Sequence, residues 1–132
     1  MTPSRPTEYA DEAQRRWGDT DAYQESQRRT ASYTDKDWTH IKAQGADLDR
    51  RLADALRAGT PPDSPAAMTL AEEHRAQITR WYYDCPYPMH RNLAQLYVAD
   101  ERFTQRYDAI EPGLAQYLHD AIIANADRAE RG

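Results

Sequence analysis

The 132-residue chain contains a single cysteine, which excludes an internal disulfide and any cysteine-rich zinc site. Cys85 is therefore either an inert small apolar residue or a lone reactive thiol. Long apolar runs are also lacking, since none approaches the roughly eighteen residues of a membrane-spanning helix. The amino terminus has no signal-peptide core. We expect a cytoplasmic protein that contacts no membrane.

Basic charge is not in excess, because 17 Lys and Arg residues are set against 22 Asp and Glu residues, for a net charge of -5. Such a chain is unsuited to binding DNA phosphates directly. Glycine-rich phosphate loops and helical histidine pairs are absent, so no metal or cofactor is expected. Nor is an enzyme expected: Cys85 and His90 could form a nucleophile pair, but nothing specifies an oxyanion hole. The adjacent Glu72 and Glu73 indicate a solvated helix face.

Aliphatic residues are missing from the first part of the chain: no Leu, Ile, Val, Met or Phe occurs between Thr2 and His40. The large apolar side chains there are Tyr9, Trp17, Tyr23, Tyr33 and Trp38. A segment that buries no aliphatic surface has little to offset its ordering entropy. We predict that residues 1–31 form a flexible, partly helical lid that becomes ordered with a partner, and that residues 32–132 form the core. A permanently docked arm is the alternative.

From Thr34 onward the apolar residues recur at helical spacing. Thr34 precedes an acidic first turn, and the helix that it predicts runs to Arg57 with Gly45 inside it, either for close packing or at a bend. Ser64 and Pro65 predict the start of the next helix. Its inward residues are Ala67, Ala71, His74, Ile78 and Trp81, with His74 as a hydrogen-bonded core imidazole. Two further faces comprise Phe103, Tyr107 and Ile110, and Leu114, Leu118, Ala121, Ile122 and Asn125. No strand pattern competes, so we predict a single all-α domain.

The stretch from Trp81 to His90 concentrates aromatic rings, the cysteine and two prolines. Pro86 and Pro88 predict an elbow, with one helix ending near Asp84 and the next beginning at about Pro88 or Met89. Two interpretations remain open. The elbow either presents its side chains to a ligand or is a buried turn whose rings fill the core.

Tyrosine and tryptophan dominate the aromatic residues, with nine Tyr and three Trp against one Phe. Both combine a flat apolar face with a polar tip, so a lining of this kind suits a large, partly polar, heteroaromatic ligand. The alternative is that these rings seal half-exposed edges of the core. The candidate groove residues are Tyr83, Tyr87, Tyr97, Phe103 and Tyr107.

Several separate stretches together resemble one family. They are Tyr9 with Glu12 to Tyr23, Thr30 to Thr34 with Asp37-Trp38, Tyr83-Asp84-Cys85 with Tyr87 and Met89-His90, Tyr97-Val98, Asp100 to Phe103, and Pro112-Gly113-Leu114. The chain is similar to the TipA family, the antibiotic-recognition (TipAS) domains at the carboxyl terminus of certain MerR-type transcription activators. The likeness runs from about Tyr9 to Asn125.

This resemblance implies an all-helical, globin-like fold that binds thiopeptide antibiotics such as thiostrepton, which are large macrocycles rich in thiazoles. It also implies an amino-terminal part that folds over the drug. Because the chain starts at Met1 and shows no helix-turn-helix segment, we expect a free-standing domain, natural or excised, that sequesters drug and confers resistance. We also expect a monomer. Two alternatives are an effector-sensing domain of a drug-responsive activator and a ligand of another class, such as albicidin.

One departure from the family concerns the covalent chemistry. Thiopeptides carry dehydroalanines, which react with thiolates, and the family's drug-attaching cysteine falls at the position of Asn92. The thiol that remains, Cys85, reacts only if it is exposed and its pKa is lowered. We therefore expect reversible, noncovalent binding.

The candidate ligand-binding residues fall into three groups. The elbow side of the cleft comprises Tyr83, Cys85, Tyr87, Met89, His90 and Asn92. The floor comprises Tyr97, Phe103 and Tyr107, and the lid comprises Trp17, Tyr23 and Trp38. His90 either hydrogen-bonds a ligand amide or thiazole nitrogen or caps a helix.

Overall fold

The computed structural model describes residues 21–131, and every regular element in that range is an α-helix. The helices are α1 (Asp21–Thr30), α2 (Asp35–Arg57), α3 (Pro65–Trp81), α4 (Tyr87–Ala99), α5 (Glu101–Asp108) and α6 (Leu114–Arg131). The all-α class is confirmed. Trp17 and residues 1–20 of the predicted lid lie outside the described residues. None of the described helices is long and apolar enough to cross a membrane.

Local hydrogen bonds start three of the helices, two of them, α2 and α3, where the sequence analysis predicts a start. Thr34 and Asp37 form a capping box at α2: the Thr34 hydroxyl accepts the Asp37 N–H at 3.2 Å, and the Asp37 carboxylate accepts the Thr34 N–H at 2.9 Å. The side chains of Ser64 and Asp100 accept backbone N–H groups at the starts of α3 and α5. These bonds satisfy N–H groups that the first helical turn leaves unpaired.

Helix α6 provides the surface on which the core is built, because it packs against α2, α3, α4 and α5. The predicted inward face of α6 is buried throughout. On α3 the predicted residues from Ala67 to Ile78 are buried, and Trp81 is half-buried. Periodicity therefore identified the core-facing side of both helices.

Ile110 departs from the prediction that it shares a face with Phe103 and Tyr107. Helix α5 ends at Asp108, and Ile110 lies in the following turn with 41% of its surface exposed. The prediction was wrong because a step of three residues continues a helical face only while the helix itself continues.

The elbow between α3 and α4 is longer than predicted. Helix α3 ends at Trp81 rather than near Asp84, since the N–H groups of Tyr82 and Tyr83 both bond to the Ile78 carbonyl, at 2.9 and 3.2 Å, in a widened last turn. Pro86 precedes α4 in extended geometry, and Tyr87 is the first residue of that helix. The two prolines thus separate the helices as predicted, but the second helix starts one or two residues earlier than expected.

Candidate functional site

A cavity of about 390 Å³ lies between α2, the carboxyl-terminal half of α3, and α5. Its wall combines apolar and aromatic side chains with a few charged groups. The apolar and aromatic members include Ile41, Leu48, Ile78, Trp81, Tyr82 and Phe103. A concave, mainly apolar surface of this size is typical of a small-molecule site.

The three predicted floor residues, Tyr97, Phe103 and Tyr107, come together at this cavity. The Tyr97 ring centroid lies 5.6 Å from that of Phe103 and 5.2 Å from that of Tyr107, both in tilted arrangements. Tyr97 is supplied by α4 and the other two by α5, so the α4–α5 corner positions the cluster. Their contact with a ligand stays a prediction.

The six predicted elbow residues do not line this cavity. Tyr83, Cys85 and His90 are buried, as in the interpretation of the elbow as a core turn. The Tyr87 hydroxyl donates to the Glu72 carboxylate at 2.9 Å. Met89 is partly buried against the core, and Asn92 is exposed. Their contact with a ligand stays a prediction.

The Cys85 thiol is unsuited to nucleophilic attack. The residue is 1% exposed, and burial raises the pKa of its thiol to about 12. The backbone on either side is fixed, because the Arg75 guanidinium donates to the Cys85 carbonyl at 2.9 Å and the Cys85 N–H donates to the Thr79 hydroxyl at 3.2 Å. The thiol therefore stays protonated at neutral pH, where only a thiolate would react.

Glu72, predicted to lie on a solvated helix face, instead joins three elements. Its carboxylate accepts from Arg75 at 2.6 Å, from Asn125 of α6 at 2.9 Å and from the Tyr87 hydroxyl of α4. Burial tends to raise the pKa of this carboxyl, but the three hydrogen bonds lower it to about 2. The adjacent acidic residues Glu72 and Glu73 give no sign in the sequence that one of them has such partners.

Of the predicted lid residues, Tyr23 and Trp38 fall within the described range, and neither lines the cavity. Tyr23 is half-buried on α1, and Trp38 is 2% exposed. The Trp38 ring lies 5.5 Å from Tyr33 and 6.4 Å from Tyr82, and Tyr82 lines the cavity. The Trp38 ring therefore lies next to a ring of the cavity wall but does not itself line the cavity.

Helix α1 is attached to the carboxyl-terminal end of α3, whose last carbonyls have no partner within the helix. Arg29 donates to the Thr79 carbonyl and the Tyr33 hydroxyl donates to the Trp81 carbonyl, each at 2.5 Å. The Tyr33 ring also meets Trp81 edge to face at 5.7 Å. These contacts cap α3 from outside the helix.

A pair of stacked imidazoles borders the cavity and was not predicted as a pair. His74 Nδ1 lies 2.9 Å from His90 Nε2, and only His74 lines the cavity. Burial lowers the pKa of His74 to about 4. Burial, with the adjacent His74, lowers that of His90 to about 3. Both rings are therefore neutral at pH 7, and His74 is the hydrogen-bonded core imidazole that its position predicts.

Sequence inspection also missed three charged groups in the cavity wall, namely Lys42, Asp49 and Arg106. Burial raises the pKa of the Asp49 carboxyl to about 6, against the opposing charge of Arg106. The sequence contains one indication of Asp49. It lies four residues after Gly45, so both residues lie on the same side of α2, and both line the cavity.

A comparison with family models matches residues 9–125 to the TipAS antibiotic-recognition domain. The chain belongs to the TipAS family. The resemblance noted in the sequence is thereby confirmed. The matched range, residues 9–125, includes all of the cavity residues described above.

Relatives and a solved structure agree with this assignment. The chain is 51% identical over 123 residues to the HTH-type transcriptional activator TipA of Streptomyces coelicolor, covering 93% of this chain and 49% of that protein. It is 34% identical over 122 residues to the HTH-type transcriptional activator mta of Bacillus subtilis, covering 92% and 46%. This TipAS-family chain thus spans about half the length of the curated relatives it matches.

The structure of TipAS from Streptomyces lividans in complex with nosiheptide, a thiopeptide antibiotic, matches with a TM-score of 0.85 at 50% identity. The match covers 95% of this chain and 87% of that chain. The two proteins therefore share both the family and the fold.

Proposed function

We propose that this chain binds a thiopeptide antibiotic reversibly and sequesters it, conferring resistance. The observation that supports this proposal is an aromatic-lined cavity of about 390 Å³ in a TipAS-family chain, whose relative has a solved complex with nosiheptide. Tyr97, Phe103 and Tyr107 offer ring faces on which thiazoles stack. Trapping a drug in this way requires no catalysis, metal or cofactor.

The cavity is too small for a whole thiopeptide macrocycle, so we propose that it takes one edge of the drug. Residues 1–31 would cover the rest as a lid that becomes ordered on binding. Two contacts support this arrangement: Arg29 donates to the Thr79 carbonyl, and Tyr33, just after residue 31, donates to the carbonyl of Trp81, which lines the cavity.

Binding is proposed to be noncovalent. The buried Cys85 thiol has its pKa raised to about 12, and the exposed Asn92 is chemically inert toward dehydroalanine. Without a thiolate, no thioether to the drug forms. The bound drug therefore leaves when it is diluted or when the protein is unfolded.

A titration with nosiheptide and, separately, thiostrepton tests this function, with amide NMR spectra and then the intact mass of the denatured sample. We expect saturation at one equivalent, shifts at residues that line the cavity, and the mass of the free protein. A mass increased by one drug would contradict reversible binding, and the variant Cys85→Ala would show whether that thiol is attached. Unchanged spectra with both drugs would exclude thiopeptides and direct the same assay to albicidin.

A second role is that of the drug-sensing part of a MerR-type transcription activator. It is favoured by the half-length match to the activators TipA and mta. We propose that this chain is monomeric, acts in the cytoplasm and leaves DNA contact to another segment. Transcription assays with the full gene product, with and without nosiheptide, test this role. Drug-independent transcription would reject it and leave sequestration in place.

A further inference from the structure

Two opposite charges face the cavity without a protein partner. Asp49 of α2 is half-buried, and Arg106 of α5 is exposed at the rim. Among the described residues, neither makes a hydrogen bond or a close ion pair. Elsewhere on α2, Arg51 is paired with both Asp47 and Glu73. Asp49 and Arg106 are thus the oppositely charged residues of the cavity wall, which also contains Lys42.

An unpartnered carboxylate in an apolar wall is unfavourable for the free protein, because it loses hydration and gains no hydrogen bond. Burial raises the pKa of Asp49 to about 6, even though the charge of Arg106 acts in the opposite direction. Groups of this kind concentrate at functional sites. The unpaired carboxylate of Asp49 is therefore best explained by a ligand that occupies the cavity and binds it.

We propose that Asp49 and Arg106 determine the ligand specificity of this cavity, by binding the N–H and the carbonyl of an amide that links flat heteroaromatic groups. This inference rests on the proposed drug-binding function and adds the chemistry that the cavity selects.

The chemistry of the two side chains points to an amide. An ionised carboxylate only accepts hydrogen bonds and a guanidinium only donates them, so the ligand must offer a donor and an acceptor near each other. Tyr97 and Phe103 supply ring faces beside them. A purely hydrocarbon ligand would cover the Asp49 carboxylate without offering it a hydrogen bond, which is strongly disfavoured. The cavity therefore selects amide-linked heteroaromatic rings over plain polycyclic hydrocarbons.

Calorimetric titration with nosiheptide tests the proposal in four forms of the full chain: unmodified, Asp49→Asn, Arg106→Gln and Asp47→Asn. The last variant is the matched control, since it removes the same charge from the same helix at a residue outside the cavity wall. We expect Asp49→Asn and Arg106→Gln each to weaken affinity at pH 7.5 by about tenfold or more, as for a lost hydrogen bond to a charged group. Asp47→Asn should bind like the unmodified chain.

The pH dependence of affinity separates a direct contact from a structural effect. Because the ligand N–H prefers the ionised form of Asp49, affinity of the unmodified chain should rise about tenfold from pH 5 to pH 7. Asp49→Asn should lose that rise. The other titratable groups that line the cavity are Lys42, His74, Tyr82, Tyr97, Arg106 and Tyr107. Burial lowers the pKa of His74 to about 4, so it stays neutral over this range.

Thermal unfolding gives a readout that needs no ligand. The pKa of Asp49 is raised in the folded state, so its ionisation lowers stability as pH rises through about 6. Asp49→Asn should therefore raise the midpoint by about 4 °C at pH 7.5 and leave it unchanged at pH 4. A lowered midpoint at pH 7.5 would overturn the proposal.

The remaining outcomes are decisive as well. If Asp49→Asn and Arg106→Gln both bind nosiheptide within about twofold of the unmodified chain, the amide contact is wrong while drug binding remains. If Asp49→Asn fails to fold, Arg106→Gln alone decides by the same criterion. If the unmodified chain binds neither nosiheptide nor thiostrepton, the proposed function and this inference are both overturned.

Discussion

Gly45 borders the cavity with backbone alone. A Cβ built at this position would meet no heavy atom within 4 Å, so close helix packing, one of the two reasons suggested for this glycine, is not what it provides. Glycine inside a helix costs about 1 kcal/mol relative to alanine. What the residue supplies is open space beside Ile41 and Leu48.

Replacing Gly45 with leucine tests whether that space holds the drug. The variant Gly45→Leu should unfold at the same or a higher temperature, since it gains helix propensity of up to about 1 kcal/mol. Its affinity for nosiheptide should fall by about tenfold or more, because the added side chain occupies the cavity. Calorimetric titration measures the affinity.

The matched control is Ala43→Leu, at an exposed residue of the same helix that does not line the cavity. It should bind like the unmodified chain. Undiminished binding by Gly45→Leu would show that the drug lies elsewhere.

At the scale of elements, α1 is attached to the rest of the molecule chiefly through the end of α3. The Tyr33 hydroxyl and the Arg29 guanidinium occupy carbonyls that a helix cannot satisfy internally. A second bond from Arg29 reaches the exposed Asp84 at 3.4 Å. Docking of α1 and the geometry of Trp81 are therefore linked by the same hydrogen bonds.

Removing one hydroxyl should loosen this attachment. Tyr33→Phe keeps the ring against Trp38 and Trp81 but leaves the Trp81 carbonyl without its donor, at a cost of about 1 kcal/mol in unfolding free energy. Hydrogen exchange of the α1 amides should accelerate more than that of α6.

Ser32→Ala serves as the control, since the Ser32 hydroxyl bonds only to the Arg29 carbonyl within its own turn. It should exchange like the unmodified chain. Equal α1 exchange in Tyr33→Phe and in the unmodified chain would mean that the Tyr33 hydroxyl contributes nothing to docking.

At the scale of the whole molecule, buried histidines set the acid limit of stability. Burial holds the pKa values of His74 and His90 at about 4 and 3, well below the ordinary 6.5. The unfolded chain therefore takes up protons first, and stability falls as pH drops below about 6.5. Asp49 acts in the opposite direction, because its raised pKa makes protonation favourable below about 6.

We expect the histidines to prevail over Asp49, since there are two of them and each is more deeply buried. Between pH 7 and pH 5 the free energy of unfolding should fall by about 2 kcal/mol. Urea denaturation at several pH values measures this change. In Asp49→Asn the decline should be steeper, because the opposing contribution is removed. A free energy that does not change over this interval would show that the imidazole pair is not held neutral by burial.

Much of the fold follows from local signals. Three such signals are the capping box of Thr34 and Asp37, the Ser64 cap and the prolines of the elbow. Each acts over a few residues, so it can be recognised in the sequence without knowledge of the tertiary packing. The aliphatic periodicity of α6 identified its core face for the same reason. Ile110 shows the limit, since a helix that ends early ends its periodicity too.

The aromatic residues could not be sorted in this way. Tyr83 and Tyr107 are both buried tyrosines, yet only Tyr107 borders the cavity, because which ring lies beside open space depends on how α2, α3 and α5 cross. Spacing along one helix carries no information about that crossing.

The sequence by itself determined the helical class, the starts of α2 and α3, and the family, because caps, prolines, periodicity and extended sequence similarity depend only on the order of residues along the chain. Tertiary structure alone decided that Cys85 is buried, that His74 meets His90, and that Asp49 and Arg106 share a cavity. These are contacts between residues far apart in the chain. Their burial, pKa values and chemistry arise only when the helices pack together.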